Sequence, residues 1–144
     1  MPYDERFVAP MRMELTQIGF EELRTAEEVD EKVKNSKGTL LVVINSICGC
    51  AAGMCRPGVA LSLRNEAKPE HLATVFAGQD LEATERLRSY IPFPPSSPSI
   101  ALFVDGELKW FLPRHEIEGR FSEDVASALV TAYDTYCSQN TVAD

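Results

Sequence analysis

Residues 39–50 read Thr39-Leu40-Leu41-Val42-Val43-Ile44-Asn45-Ser46-Ile47-Cys48-Gly49-Cys50, and this stretch decides the fold. The run over 39–44 is apolar or β-branched on both faces, the pattern of a central strand covered on both sides. Two thiols one residue apart follow it. Ala51-Ala52-Gly53-Met54 then reads as the start of a helix. A helix start presents unpaired N–H groups and a partial positive charge, which favour thiolate over thiol. The strand–cysteine–helix junction therefore points to redox chemistry.

The surroundings agree. No Asp or Glu occurs from Lys32 to Asn65, whereas Lys32, Lys34, Lys37, Arg56 and Arg64 do, so nearby carboxylates do not oppose ionisation of the pair. The chain of 144 residues fits one domain with a sizeable core, and its 44% hydrophobic and 25% charged residues are ordinary for a globular protein. The formal net charge of −8 argues against a nucleic-acid partner. No stretch is apolar enough to span a bilayer, and Met1-Pro2-Tyr3-Asp4-Glu5-Arg6 lacks a signal-peptide core. A cytoplasmic protein without a membrane partner is expected. In a reducing compartment the four cysteines are then catalytic, metal-binding or inert rather than a disulfide framework.

Outward from the junction, residues 1–15 show no strong period and read as an irregular arm, part of an N-terminal arm over 1–18. A domain over 19–138 and a C-terminal tail over 139–144 complete the division. Residues 19–35 read as an amphipathic helix through Leu23, Ala26, Val29 and Val33, with a capping box at Thr25 and Glu28 where the regular helix starts. Glu21-Glu22 and Glu27-Glu28 read as solvated helix faces. Residues 50–65 read as a helix that Pro57 kinks or restarts. A strand over 71–77, a helix over 81–90 and a strand over 99–104 follow. Asp105-Gly106 is a two-residue hairpin signal returning the chain over 108–112, and a last helix spans 122–136. The alternation at the start implies parallel strands with crossovers, and the final hairpin adds antiparallel ones, giving an α/β mixed sheet with helices on both faces. The stretch Ile91-Pro92-Phe93-Pro94-Pro95-Ser96-Ser97-Pro98 reads as a stiff surface loop inside that domain.

This order resembles the thioredoxin fold. Cys48-Gly49-Cys50-Ala51-Ala52-Gly53, Arg56-Pro57-Gly58, Phe93-Pro94-Pro95-Ser96-Ser97-Pro98-Ser99 and Arg114-His115-Glu116-Ile117-Glu118-Gly119 together resemble the bacilliredoxin family over roughly 20–137. The resemblance implies reduction of mixed disulfides between proteins and the thiol bacillithiol, a co-substrate rather than a bound cofactor, and for some members weak disulfide isomerisation. It makes Cys48 the nucleophile and Cys50 the resolving thiol. It makes Pro98 a cis-proline opposite the thiols, with Ser97 offering backbone groups to an extended substrate. Bacillithiolated proteins and bacillithiol are the implied partners; the oligomeric state is left open.

The residues leave other readings beside this one. A bridge across the single residue Gly49 closes a small, strained ring, hence an oxidising one, which suits an isomerase. Cys48, Cys50, Cys55 and Cys137 offer four sulfurs to a metal in a non-enzymatic binding protein, although the spacing lacks paired Cys-x-x-Cys knuckles. Cys55 and Cys137 read better as packed thiols, His71 and His115 as residues at element ends, and Trp110 with Phe111 as packed on the sheet. Arg114-His115-Glu116 reads as the opening of the last helical region, and Arg56 or Arg114 is a candidate for a bacillithiol carboxylate. Gly53 reads either as room for a bound partner or as packing against a neighbouring strand.

Overall fold

The computed structural model describes residues 2–137, so the expected tail over 139–144 lies outside the described residues. Five strands, β1 (Glu21–Glu22), β2 (Thr39–Asn45), β3 (His71–Phe76), β4 (Ser99–Val104) and β5 (Glu107–Leu112), form one sheet in the order β1-β3-β2-β4-β5. β1, β3 and β2 run parallel, while β2–β4 and β4–β5 are antiparallel. The mixed α/β sheet read from the sequence is the one observed.

Every residue of β2 is buried, and alternate side chains enter opposite layers. Leu41 and Val43 join Ile100, Leu102, Val59, Leu129 and Tyr133 on one face. Leu40, Val42 and Ile44 join Val29, Val33, Val75, Leu87 and Phe103 on the other. Helices α3 (Arg56–Ser62) and α5 (Ser122–Tyr136) thus cover the first face, and α2 (Ala26–Asn35) and α4 (Leu81–Arg88) cover the second. The Asp105-Gly106 hairpin turn has positive φ at both residues, 51° and 85°, as a type I′ turn requires.

Three local expectations are corrected. Residues 5–16 are a helix, α1, in place of an irregular arm: Asp4 caps it by accepting the Arg6 N–H, and Val8, Arg12 and Leu15 are buried. Its inward stripe is interrupted by a charge, since buried Arg12 bonds Glu5, Glu22 and Asp80 and lies 5.3 Å from the Phe76 ring centroid. Residues 19–24 are not helical. Gly19 takes φ 106°, Glu21–Glu22 pairs with β3 as an edge strand, and the helix begins only at the Thr25–Glu28 capping box. Glu21-Glu22 is therefore not a helix face, and Glu22 is engaged by Arg12.

After the cysteines the restart expected at Pro57 is observed. Ala51–Cys55 forms a wide π turn in which the Arg56 N–H reaches the Ala51 carbonyl, and regular α-helix starts at Arg56 with Pro57 in its first turn. The third correction is at Arg114–Glu116: expected to open the last helical region, it is a separate 3₁₀ turn ahead of Gly119 at φ 80°.

Candidate active site

β2 ends at Asn45, and the chain turns at once. The Ser46 Oγ accepts the Cys48 N–H at 3.1 Å, and the Cys48 carbonyl accepts the Ala51 and Ala52 N–H groups at 2.9 and 3.2 Å. Both ends of the Cys48 backbone are thereby fixed. Arg56 braces this turn from below. It is only 3% exposed, and its guanidinium donates to Asn45 Oδ1, to the Ser46 carbonyl and to Glu14 Oε1. A guanidinium so enclosed is not offered to a ligand, which removes Arg56 as a candidate for a bacillithiol carboxylate.

The two sulfurs lie 2.6 Å apart, and the Cys50 N–H points to the Cys48 sulfur at 3.4 Å. Cys48 is half-buried and Cys50 buried. Their acidities diverge for that reason. Hydrogen bonding from the Cys50 side chain and N–H lowers the Cys48 pKa, with Arg114 adding a favourable charge. Burial, and then the neighbouring Cys48, raises that of Cys50. One accessible thiol is inclined to ionise, and a second stands behind it within bonding reach.

The Ser97–Pro98 loop arrives at the same end of the sheet. β2 and β4 are antiparallel with Ile44 opposite Ser99, so the end of β2 and the start of β4 are adjacent. The Ser97–Pro98 peptide bond is cis. The Ser97 carbonyl accepts a hydrogen bond from Arg114 Nη1 at 3.3 Å, and Ser96 Oγ accepts the Arg114 N–H at 3.2 Å. Sequence reasoning noticed Arg114 as a cation for a ligand. Its action on the sulfurs and its hold on Ser97 come only from the folding of the post-β5 segment against the proline loop.

Cys55 is wholly buried and its pKa is pushed up to about 12 by burial; Cys137 is buried and also raised. Among the described residues no three His, Cys, Asp or Glu side chains gather as a metal-ligating group, so the four-sulfur reading has no ligand set here. His71 Nε2 meets the Lys37 carbonyl at a strand end. Gly53 has no atom within 4 Å of where a Cβ would stand, which overturns its packing reading and leaves open space.

Beside the pair, not over it, runs a groove of about 870 Å³ lined by Phe93, Pro94, Ser96, Trp110, Phe111 and Arg114. Phe93, 51% exposed, stacks on Phe111 at 5.3 Å between centroids. Trp110 packs on the sheet with one side and lines the groove with the other. Among the described residues no helix is long and apolar enough to cross a membrane.

Comparison with known proteins gives the family and the fold. A family described as disulphide isomerase matches residues 3–137. The chain is 53% identical over 136 residues to a bacilliredoxin of Halalkalibacterium halodurans, covering 94% of each. It is 53% identical over 133 residues to a bacilliredoxin of Cytophaga hutchinsonii, covering 92% of this chain and 98% of that one. Among solved structures it is similar to the oxidised thioredoxin of Plasmodium falciparum, with TM-score 0.57 at 17% identity over 83% of this chain and 99% of the other. The thioredoxin of Fasciola hepatica gives TM-score 0.54 at 18% identity over 79% and 99%. The fold is therefore that of thioredoxin, and the chain belongs to the bacilliredoxin family of thiol–disulfide oxidoreductases.

Proposed function

We propose that this oxidoreductase reduces mixed disulfides between proteins and bacillithiol, with Cys48 attacking and Cys50 resolving. The observation that carries the reading is the asymmetry of the pair: the half-buried sulfur has the lowered pKa, the buried one the raised pKa, and they lie 2.6 Å apart. The Cys48 thiolate attacks the bacillithiol sulfur of the mixed disulfide. A Cys48–bacillithiol bond forms, and the protein thiolate leaves and takes a proton from water. Cys50 then gives up its proton and attacks the Cys48 sulfur. Bacillithiol leaves as a thiol, and a Cys48–Cys50 disulfide remains. A thiol reductant must return the two electrons before the next turnover. Ser97 and Pro98 line the approach, with the Ser97 backbone offered to an extended partner. The family relationship to bacilliredoxins supports the choice of small thiol, and a reducing cytoplasm is the compartment where such a cycle runs.

The direct test compares one protein carrying bacillithiol with the same protein carrying glutathione. Release from the bacillithiolated form is expected to have a kcat/KM at least about tenfold higher, roughly 1.4 kcal/mol of transition-state preference. Equal values would remove the assignment to bacillithiol.

A second reading, disulfide isomerisation by the same pair, is favoured by the description of the matching family. It requires a Cys48–Cys50 couple more oxidising than thioredoxin, whose potential is about −270 mV. A redox titration giving a value at or below that would exclude it.

A further inference from the structure

Arg114 stands where the reactive end of the sheet meets the proline loop, and the exchange described above does not use it. The residue is anchored on three sides. Its N–H donates to Ser96 Oγ at 3.2 Å, its Nη1 to the Ser97 carbonyl at 3.3 Å, and its Nη2 meets Glu118 Oε2 at 3.4 Å. The side chain is still 40% exposed on the reactive face. Of the two groups the guanidinium itself meets, the Ser97 carbonyl at 3.3 Å is neutral and the Glu118 carboxylate at 3.4 Å is the longer contact, so part of the charge is left uncompensated. The charge is felt at both sulfurs.

Among the described residues, Arg114 is the cation that acts on both sulfurs. The segment that carries the cysteines has no acid from Lys32 to Asn65. Its nearest cation in sequence, Arg56, is committed to Glu14, Asn45 and Ser46 beneath the turn. The groups acting on the Cys48 sulfur are Cys50, the Ala51 N–H and Arg114. His115, next in the chain, turns to Glu116 and not to the pair.

We propose that Arg114 is a positioning residue of the thiol exchange: one side chain both holds the Ser97 carbonyl beside the reactive pair and keeps a fixed positive charge toward Cys48. The inference rests on Cys48 being the attacking thiol. Its consequence is that the shape of the proline loop and the ionisation of Cys48 depend on the same guanidinium. Glu118 works against the second role, because its carboxylate neutralises part of the field at the sulfurs. Lysine would preserve the charge but not the planar fork that reaches Ser97 and Glu118 together.

The experiment follows the rate of iodoacetamide alkylation against pH on the full chain, with the labelled cysteine mapped by mass spectrometry. Arg114→Gln is expected to move the Cys48 midpoint upward and slow its alkylation at neutral pH about three- to tenfold, since each pKa unit is a tenfold change in thiolate. Arg114→Lys restores most of the midpoint. Glu118→Gln moves it downward, and this variant carries the test alone if Arg114→Gln fails to fold. Midpoints unmoved in both Arg114→Gln and Glu118→Gln overturn the proposal, including the case where Arg114→Gln merely lowers the melting temperature. If Cys50 proves the first thiol labelled in the unaltered protein, the assignment of Cys48 fails, and the Arg114 effect is then read on Cys50 as a separate result.

Discussion

Arg56 Nη1 donates to Asn45 Oδ1 at 2.8 Å, so the first residue of α3 is tied to the last residue of β2 across the turn that carries the cysteines. The same guanidinium nitrogen donates to the Ser46 carbonyl at 2.9 Å, and Nε reaches Glu14 on α1. Three elements meet at one buried cation. Cys48 is held in place from beneath by a charge that never touches it.

Arg56→Met removes these donors and leaves Asn45 Oδ1 without its cation in a buried setting. The expected cost is about 2–4 kcal/mol, read from urea unfolding, together with slower thiol exchange as the turn loosens. Arg56→Lys recovers little, because one ammonium cannot span the same forked set of acceptors. A cost under about 0.5 kcal/mol, the range of an ordinary surface change, would show that the brace is unimportant.

The two glycines after the cysteines have opposite roles. A Cβ at Gly58 would lie 2.7 Å from Val125 Cβ and 2.9 Å from the Ser122 carbonyl, so α3 and α5 approach closely through that missing side chain. Gly58→Ala is expected to cost about 1–3 kcal/mol through forced separation of the helices. A Cβ at Gly53 meets nothing within 4 Å. Gly53→Ala leaves stability unchanged or raises it by up to about 1 kcal/mol, while the added methyl narrows the approach to Cys48 and slows exchange with a protein disulfide more than with a small one. Thermal melts and paired rate measurements decide both points. A destabilised Gly53→Ala, or equal slowing on large and small disulfides, contradicts this reading of Gly53.

The four thiols differ in reach. In the folded, reduced protein Cys48 alkylates first, with a midpoint below its ordinary value of 9.0, and Cys50 follows only at higher pH. The sign follows from the lowered Cys48 pKa: its thiolate fraction rises through a midpoint reached earlier in pH, so the rate gain comes on the acid side of that of a free cysteine. Cys55, held near 12 by burial, and buried Cys137 stay unlabelled until denaturant is added. Mass spectrometry before and after denaturation should count two and then four adducts, in agreement with the four free cysteines. Ready native labelling of Cys55 or Cys137 would contradict the burial argument.

What the sequence showed depended on how strongly local chemistry constrained each segment. The run over 39–44 had only one sensible reading, because six apolar or β-branched residues in a row leave no polar face. Thr25 with Glu28 marked the true start of α2, and Asp105-Gly106 marked its turn, because each motif satisfies specific backbone groups. The cysteine pair stood out through its place between a strand and a helix start, whereas the division of roles within it and the cis Ser97–Pro98 bond were expected only through resemblance to a family. Helix α1 was hidden because its inward stripe, Val8, Arg12 and Leu15, contains a charge, and Pro10 interrupts the pattern. The carboxylates of Glu5, Glu22 and Asp80 make that charge tolerable inside, and the last two come from distant segments. β1 is two glutamates long and exists because β3 offers an edge to pair with. Arg56 read as a cation open to a ligand because its partners, Glu14, Asn45 and Ser46, come from other elements.

The central claim is that Cys48 takes up the small thiol and Cys50 releases it. The measurement that bears on it most directly is intact-mass spectrometry of Cys50→Ser after mixing with a bacillithiolated protein. Without Cys50 the first intermediate has no internal route to resolution and should accumulate. The account predicts one bacillithiol adduct per chain, mapped to Cys48, with the partner protein released in its reduced form. A Cys48 that remains free and alkylatable while the partner stays bacillithiolated would contradict it.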